Sequence, residues 1–453
     1  MAQDRSLNVA ELIEGKLALP QILIAVYLCT LMFLEGYDMQ TLSFAAPAIL
    51  REWNVSRADF GWVLSAHLQG YLAGAILLSF LGDRLGRRNV IIGGVAIFSV
   101  FTFLAGFANS PLQLGLYRIV AGFGLGGGIP TGIALAAEYM PSKVRATAIG
   151  LMFVGYNLGA SAGGFISAYT IGAYGWASIF FIGGLAALPM LILLAATLPE
   201  SVRFLIVQGA APSRIAAVVK RLRPGIDLTH VTHYLAGEEH RKVAIGSLLS
   251  DGRAAMTSLL WFAMIASFTG HYVITAWMPT ILTDDGMPIA DANNAMGWFQ
   301  FGGAIGSLII AVLMDWVGVP IVALTFIAAA PVTFLLGLNF GYEFLILNMI
   351  LGGIAVLGGQ IGLNALAGTI YPTYMRATGA GWALGIGRIG AIAGPVLGGN
   401  LLALGMARPS ILTLTAIPFI FCAAALFALP AAKRASDARN REDAGLAKAG
   451  FAH

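Results

Sequence analysis

The chain has 453 residues, 58% of them hydrophobic and 11% charged, and its formal net charge is +4. A soluble protein of this length needs far more charge to cover its surface, so the composition excludes that class and implies a polytopic membrane protein. The small positive balance is no nucleic-acid signal, and the basic residues are read as topology instead.

The first 19 residues are polar and mixed in charge, with no sign of a cleavable signal peptide. The first apolar run, from about 22 to 50, is long enough to cross a bilayer at roughly 1.5 Å per residue. It contains Met32-Phe33-Leu34-Glu35-Gly36-Tyr37-Asp38-Met39-Gln40, which puts two carboxylates at membrane depth. Glu35 and Asp38 are three residues apart and share one helical face. Gly36 between them leaves room for a ligand or a neighbouring helix to approach the backbone. Ionisable groups in a span are costly and usually mark a substrate or ion pathway; the alternative is a structural ion pair.

Further apolar runs fall at about 60–81, 89–108, 112–140, 146–170 and 176–198, then after a polar stretch at 256–283, 293–314, 318–339, 343–371, 377–405 and 410–430. Backbone groups in lipid have no water to bond, so these spans must be helices. The result is an all-α membrane protein of twelve transmembrane helices: an N-terminal six-helix half (1–198), a cytoplasmic central loop (199–254), a C-terminal six-helix half (255–430) and a tail (431–453). Cys29 and Cys422 both sit in apolar runs and suggest neither a disulfide framework nor a metal site.

Lys and Arg placement sets the orientation. With an inside N-terminus, Arg84, Arg87, Arg88, Lys143, Arg145, Arg376, the central loop's basic residues and Lys433, Arg434, Arg439, Arg441 and Lys448 all fall in the cytoplasm. Only Arg51, Arg57 and Arg408 fall outside, with Asp284, Asp285 and Asp291. The asymmetry predicts two cytoplasmic termini.

The halves repeat at an offset of 231–232 residues. Pro141-Ser-Lys-Val-Arg145-Ala-Thr147 matches Pro372-Thr-Tyr-Met-Arg376-Ala-Thr378, Gly159 and Gly163 match Gly390 and Gly394, and Pro47-Ala-Ile-Leu50 matches Pro279-Thr-Ile-Leu282. Asp83 matches Asp315, and Gly86 matches Gly318. Tandem halves with a site between them near the midplane are one way secondary transporters are built. No phosphate-cradling glycine–lysine pattern occurs, which removes ATP-driven transport within this chain.

Local motifs carry a family resemblance. Gly82-Asp83-Arg84-Leu85-Gly86-Arg87-Arg88 resembles the signature loop of the major facilitator superfamily, and Arg118-Ile-Val-Ala-Gly122-Phe-Gly124-Leu-Gly126-Gly-Gly resembles its second motif. Glu138-Tyr-Met-Pro141-Ser-Lys-Val-Arg145 and Pro199-Glu200-Ser201-Val202-Arg203-Phe204 resemble loops shared with sugar and organic-anion porters, which usually have Pro where this chain has Val202. The aromatic acid:proton symporter family has Asp-Gly-aromatic-Asp in its first span, and Glu35-Gly36-Tyr37-Asp38 is similar, with Glu for Asp at position 35. That family's span-eleven block resembles Tyr371-Pro372-Thr373-Tyr374-Met375-Arg376-Ala377-Thr378-Gly379-Ala380-Gly381-Trp382, followed by Gly385-Ile-Gly-Arg388-Ile-Gly390. The resemblance implies the superfamily's fold and transport of a small aromatic acid, hydroxybenzoate-like, together with protons.

Asp38 and Arg118 both fall in spans of the first half and are expected to pair or to line water. Arg cannot release its proton, so an acid that alternately pairs with Arg118 and takes a proton would couple transport. Glu35 is a second proton site or a substrate contact. Arg388, whose repeat mate is Asn157, is the candidate receptor for a substrate carboxylate. Tyr37, Tyr156, Trp298 and Trp382 could sandwich a substrate ring, and with Phe33 and Phe301 they are otherwise packing or interface anchors. His67 and His271 could join a proton path or be packing groups. Asp83, Arg87, Glu138, Arg145, Glu200, Arg203 and Arg376 are read as a cytoplasmic gate of ion pairs that form and break. A plain solvated-loop reading stands beside it for Arg87 and Arg88.

The chain is therefore expected to be a membrane-embedded symporter in a cell (inner) membrane, functional as a monomer, with a small aromatic acid, protons and the lipid bilayer as partners. It is expected to need no cofactor and no metal and to bind no nucleic acid. Alternatives are a porter for another organic anion or a sugar, a drug/proton antiporter, or a non-transporting sensor. No nucleophile–base pair suggests an enzyme.

Overall fold

The computed structural model describes residues 5–8, 13–14, 17–223, 225, 228, 231–235, 244–372 and 374–450. Among them, twelve helices are long and apolar enough to cross a membrane. In chain order these are α1 (Leu19–Trp53), α2 (Arg57–Leu85), α3 (Arg87–Ala105), α4 (Pro111–Tyr139), α5 (Ser142–Tyr174) and α6 (Ala177–Thr197), then α9 (Ala254–Asp284), α10 (Ile289–Val317), α11 (Val319–Leu336), α12 (Tyr342–Ala367), α13 (Arg376–Ala403) and α14 (Arg408–Gly450). Between the sets lie two short helices, α7 (Val202–Val207) and α8 (Pro212–Leu222). Strand β1 (Arg5–Asn8) pairs in parallel with β2 (Val231–Leu235). Each expected apolar run coincides with one long helix. The last helix continues well past the expected span end at 430, through a stretch rich in Ala and with several Arg and Lys that favours helix without lipid.

The chain divides into two units: residues 1–53 with 66–239, and residues 54–65 with 240–453. In the first unit, α1 lies against α5 and the body of α2 lies against α4. Glycines make both contacts. A Cβ on Gly36 would sit 1.9 Å from the Tyr156 carbonyl oxygen, and one on Gly159 1.8 Å from that of Phe33. On the other pair, a Cβ on Gly70 would meet the Ile119 oxygen at 1.9 Å, and one on Gly122 the His67 oxygen at 2.1 Å. The space at Gly36 is thus taken by a neighbouring helix backbone. Small residues of this kind let helices associate in lipid, where no hydrophobic effect drives them together.

In the second unit the same contacts recur at the repeat offset. Gly390 approaches the Ile265 oxygen as Gly159 approaches Phe33, Gly302 approaches Ile350 as Gly70 approaches Ile119, and Gly353 approaches Phe299 as Gly122 approaches His67. The repeat is therefore one of backbone packing as well as of sequence. The first turns of α2 group with the second unit, where a Cβ on Gly61 would lie 3.0 Å from the Pro395 oxygen and Arg57 binds Asp284 through Nε (2.9 Å) and Nη2 (2.7 Å).

Described residues of the polar central loop and of the N-terminal segment make specific contacts. Ile215, Val219 and Leu222 give α8 one buried face. Arg223 donates to the Ile13 carbonyl at 2.8 Å. Glu14 accepts from the backbone N (3.0 Å) and Oγ (2.9 Å) of Ser142 at the start of α5. The Ser142 backbone bond, followed by its hydroxyl bond, holds the Glu14 carboxyl below its ordinary value.

Two outcomes follow. Gly122→Val drives a side chain into a backbone oxygen that cannot move alone, and should lower the stability of purified protein by about 3 kcal/mol or more, at the upper end of overpacking costs. Gly150→Ala, where nothing lies within 4 Å, should not lower the melting temperature. Because Glu14 titrates lower in the folded chain, its contribution is present above the ordinary carboxylate value and is lost as pH falls through the depressed one. The protection factor of the Ser142 amide, taken relative to the intrinsic exchange rate at each pH, should therefore fall on acidification, and Glu14→Gln should remove that pH step.

Candidate functional site

Residues 34–38 and 40–47 of α1 are all buried, although they include Glu35, Asp38, Gln40, Thr41 and Ser43. Asp38 and Arg118 have no exposed surface. The pair is bidentate: Arg118 Nη1 donates to Asp38 Oδ1 and Nη2 to Oδ2, each at 2.8 Å. Arg118 Nη2 also donates to the Asp38 backbone oxygen (3.0 Å), and Thr102 Oγ1 donates to Oδ1 (2.9 Å). His67 Nδ1 is 3.0 Å from Arg118 Nη2 and 3.5 Å from Asp38 Oδ2. A guanidinium has no acceptor, so a hydrogen bond there requires the lone pair on His67 Nδ1 and places any ring hydrogen on Nε2. Phe180 adds an aromatic face 5.8 Å from Arg118 Cζ. The structure thus brings the expected acid and guanidinium together and adds His67 and Thr102, the latter with no charge by which sequence reading could have found it.

The cluster belongs to one half only. At the offsets fixed by the packing contacts, Asp38, Arg118 and His67 correspond to Gly270, Met349 and Phe299. Glu35 is buried one turn before Asp38 on α1. Tyr37 is buried, and its hydroxyl donates to the Ile179 carbonyl of α6 at 3.0 Å. Asn157 is buried and Tyr156 half-buried on α5, beside Gly36.

In the second unit, Arg388 on α13 is half-buried, with Cζ 5.7 Å from the Phe268 ring of α9. It acts electrostatically on His271, three residues further along α9. A Cβ on Gly387 would lie 2.9 Å from the Phe268 ring, so that glycine admits the ring against α13. Trp382 is exposed and six residues from Arg388, which puts the two on different faces of α13. Trp298 meets Phe301 edge-on at 5.6 Å, and Phe301 is itself exposed. Gln300 was not singled out in the sequence; it is buried on α10 and neither amide atom has a hydrogen-bond partner among the described residues.

The expected gate residues divide. Arg87 forms an ion pair with Glu138, whose other oxygen accepts from Ser201 Oγ at 2.6 Å. Glu200 Oε1 accepts from the backbone N of Arg88 (3.1 Å) and of Ser201 (2.9 Å). Gly86 has φ +94, and a Cβ there would lie 2.2 Å from Glu200 Oε2, so both conformation and space require glycine. Arg88 donates from Nε to the Leu198 carbonyl (2.8 Å) and from Nη2 to that of Ala195. The solvated-loop reading of Arg87 and Arg88 therefore fails: one is paired and the other caps the open carbonyls that end α6. Arg145 binds the Met140 carbonyl from Nε and Nη2, both at 3.3 Å. Arg203 is half-buried on α7 and Arg376 is exposed at the start of α13. The Asp83 side chain lies outside the described residues.

Twelve spanning helices in two halves of matching backbone packing, with an acid–guanidinium pair buried in one of them, define a multi-pass membrane transporter. The family profile of the Major Facilitator Superfamily matches residues 28–338 and 260–452. The chain is 35% identical over 430 residues to a gallate transporter of Pseudomonas putida, covering 94% of this chain and 95% of that one. It is 35% identical to a 4-hydroxybenzoate transporter of Acinetobacter baylyi, over 94% of each. It is 31% identical to a 3-(3-hydroxy-phenyl)propionate transporter of Escherichia coli, over 90% of this chain and 94% of that one. Among solved structures, the xylose transporter of E. coli superposes with a TM-score of 0.72 at 16% identity, covering 90% of this chain and 97% of that one. The chain belongs to the Major Facilitator Superfamily and, within it, to the aromatic acid:proton symporter family. It is a transporter and not an enzyme.

The pair's burial sets an expected outcome. Asp38→Asn leaves Arg118 as an uncompensated buried cation and should cost roughly 3–5 kcal/mol of stability. Adding Arg118→Met should recover most of the melting temperature, because the two changes act on one interaction. A single variant as stable as wild type would mean that another carboxylate has taken over the guanidinium.

Proposed function

We propose that the protein imports a small hydroxylated aromatic carboxylate together with protons, by alternating access of its two halves. The observation that carries the substrate class is Arg388 over the Phe268 ring. A fixed planar cation can hold a carboxylate by two parallel bonds, and an aromatic surface beside it suits the ring that carries the acid. The substrates for which the relatives are named, gallate and 4-hydroxybenzoate, share a carboxylate and a ring hydroxyl. Asn157, Tyr156, Tyr37, Trp298 and Trp382 are carried forward as further ring and polar contacts, with Trp382 and Tyr37 the least favoured by their placement.

Asp38 is the coupling acid in this reading, with Glu35 as a second proton site on the same helix. Arg118 holds its charge at all relevant pH values, so only the carboxyl side of the pair can exchange a proton. Protonation removes the counter-charge of a buried guanidinium, which drives rearrangement of α1 against α4. Arg87, Glu138, Arg145, Glu200, Arg203, Arg376 and Asp83 are proposed to make and break contacts at the cytoplasmic ends during the cycle. The Lys and Arg asymmetry supports a cell inner membrane location with both termini cytoplasmic. The monomer is the proposed functional unit.

Labelled 4-hydroxybenzoate in proteoliposomes tests the reading. Accumulation should require an inward proton gradient and collapse with a protonophore; uptake against a gradient that survives the protonophore would sink proton coupling. Arg388→Lys keeps the charge but loses the planar fork, and should weaken binding by roughly tenfold to a hundredfold, the worth of a charge-assisted bond of about 1.5–3 kcal/mol. The methyl ester of the acid should bind wild type poorly. Equal binding of acid and ester would show that no carboxylate receptor exists and would favour a porter for neutral substrates.

A further inference from the structure

We propose that His271 recognises the ring hydroxyl of the substrate and so makes the second unit selective for hydroxylated over plain aromatic carboxylates. The inference rests on the reading of Arg388 as the carboxylate receptor and adds the group at the other end of the ring.

Three residues of α9 form the basis. Phe268, His271 and Tyr272 are spaced i, i+3 and i+4, so they share one face of the helix. The Phe268 and Tyr272 rings are nearly parallel (14°) with centroids 6.0 Å apart, and the His271 ring lies 4.7 Å from that of Tyr272. Glycines of α13 fix this face. A Cβ on Gly387 would lie 2.9 Å from the Phe268 ring, and one on Gly394 3.0 Å from Tyr272 Cβ. The rings are therefore held between two helices and do not depend on a ligand for their placement.

His271 is nine-tenths buried, and its Nδ1 is sealed from solvent with no hydrogen-bond partner among the described residues. A buried polar atom without a partner is rare and costs stability, so it needs an explanation. The backbone of His271 is satisfied in the ordinary way, its carbonyl accepting from Thr275 Oγ1 at 3.1 Å. Among the described residues it is Nδ1 of the ring that lacks a partner. Arg388 lies over Phe268 and acts on His271 electrostatically. The step along α9 from Phe268 to His271 is just under one helical turn, roughly 4.5 Å of rise. That is about the span of one benzene ring. A ring whose carboxylate meets Arg388 above Phe268, and which lies along α9, brings a hydroxyl on its far side to His271.

The chemistry matches in either protonation form of the ring nitrogen. A phenol hydroxyl both donates and accepts, so it completes Nδ1 whether that atom carries a hydrogen or a lone pair. An unsubstituted ring offers nothing and leaves the nitrogen sealed and unpaired. Sites built to bond a hydroxyl reject the analogue that lacks it for this reason.

The test is a binding comparison on full-length purified protein, by calorimetry, of 4-hydroxybenzoate against benzoate. Wild type should prefer the hydroxylated acid by about tenfold or more, the range expected when a buried group is left unmade. His271→Phe should bring the ratio near one by weakening 4-hydroxybenzoate far more than benzoate. His271→Asn, which places an amide near the Nδ1 position, should keep part of the preference. Arg388→Ala should weaken both ligands alike. Equal affinity of wild type for the two acids would overturn the inference, even if no variant folded. So would a preference that survives His271→Phe unchanged while Arg388→Ala still weakens both ligands, and in that case the carboxylate reading stands. If neither acid binds wild type, the carboxylate reading fails and this inference falls with it.

Discussion

A carboxylate and a guanidinium with no surface in contact with solvent govern the first unit. Each ion alone would be very costly at that depth, and their mutual attraction offsets the loss of hydration only when geometry is good and the remaining lone pairs are used. Asp38 meets both conditions: two parallel bonds from Arg118, a third to its own backbone oxygen, and the Thr102 hydroxyl. The surrounding packing serves the pair. Gly122, one turn after Arg118, brings α4 against the His67 carbonyl, which sets the imidazole beside the guanidinium. Gly183 of α6 leaves space for the Tyr37 and Thr102 side chains, which flank Asp38.

The two units share a backbone plan and differ in chemistry. Glycine-to-carbonyl contacts recur one for one across the repeat. The ionic positions of the first unit become Gly270, Met349 and Phe299 in the second. There the buried chemistry is aromatic and amide: Phe268, His271 and Tyr272 on α9, with Arg388 over the Phe268 ring, and Gln300 on α10. Packing in lipid demands small residues at fixed places, so those places repeat. Positions outside these contacts are free of that demand and differ between the units.

The helix ends of both units show how charge serves structure. Arg88 satisfies carbonyls that close α6, and in the second unit Arg408 does the same for α11, donating to the Leu336 carbonyl at 2.8 and 2.6 Å. Helix ends leave four carbonyls without intrahelical partners, and a guanidinium with several donors is a compact remedy. Glu200 plays the reciprocal part, accepting from backbone N–H groups at the start of α3 and beside α7.

Much of the architecture was legible in the sequence because lipid imposes long apolar runs, internal hydrogen bonding and a Lys and Arg bias. Span number, the repeat offset and the membrane-depth acids all follow from those constraints, and Asp38 with Arg118 was legible because isolated charge in a span demands a partner. The helix partners of Gly36 and Gly122, the hydroxyl of Thr102 on Asp38, and the Tyr37 hydroxyl on Ile179 were not legible, because uncharged residues carry no signal of direction and residues far apart in the chain meet only through packing. The tail and central loop read as plain polar segments, yet β1 and β2 pair across more than two hundred residues and Glu14 reaches α5. Sequence alone determined that this chain crosses a membrane many times and carries charge where charge is costly. Tertiary structure decided which charges meet, since a hydrogen bond depends on direction and distance that periodicity does not encode.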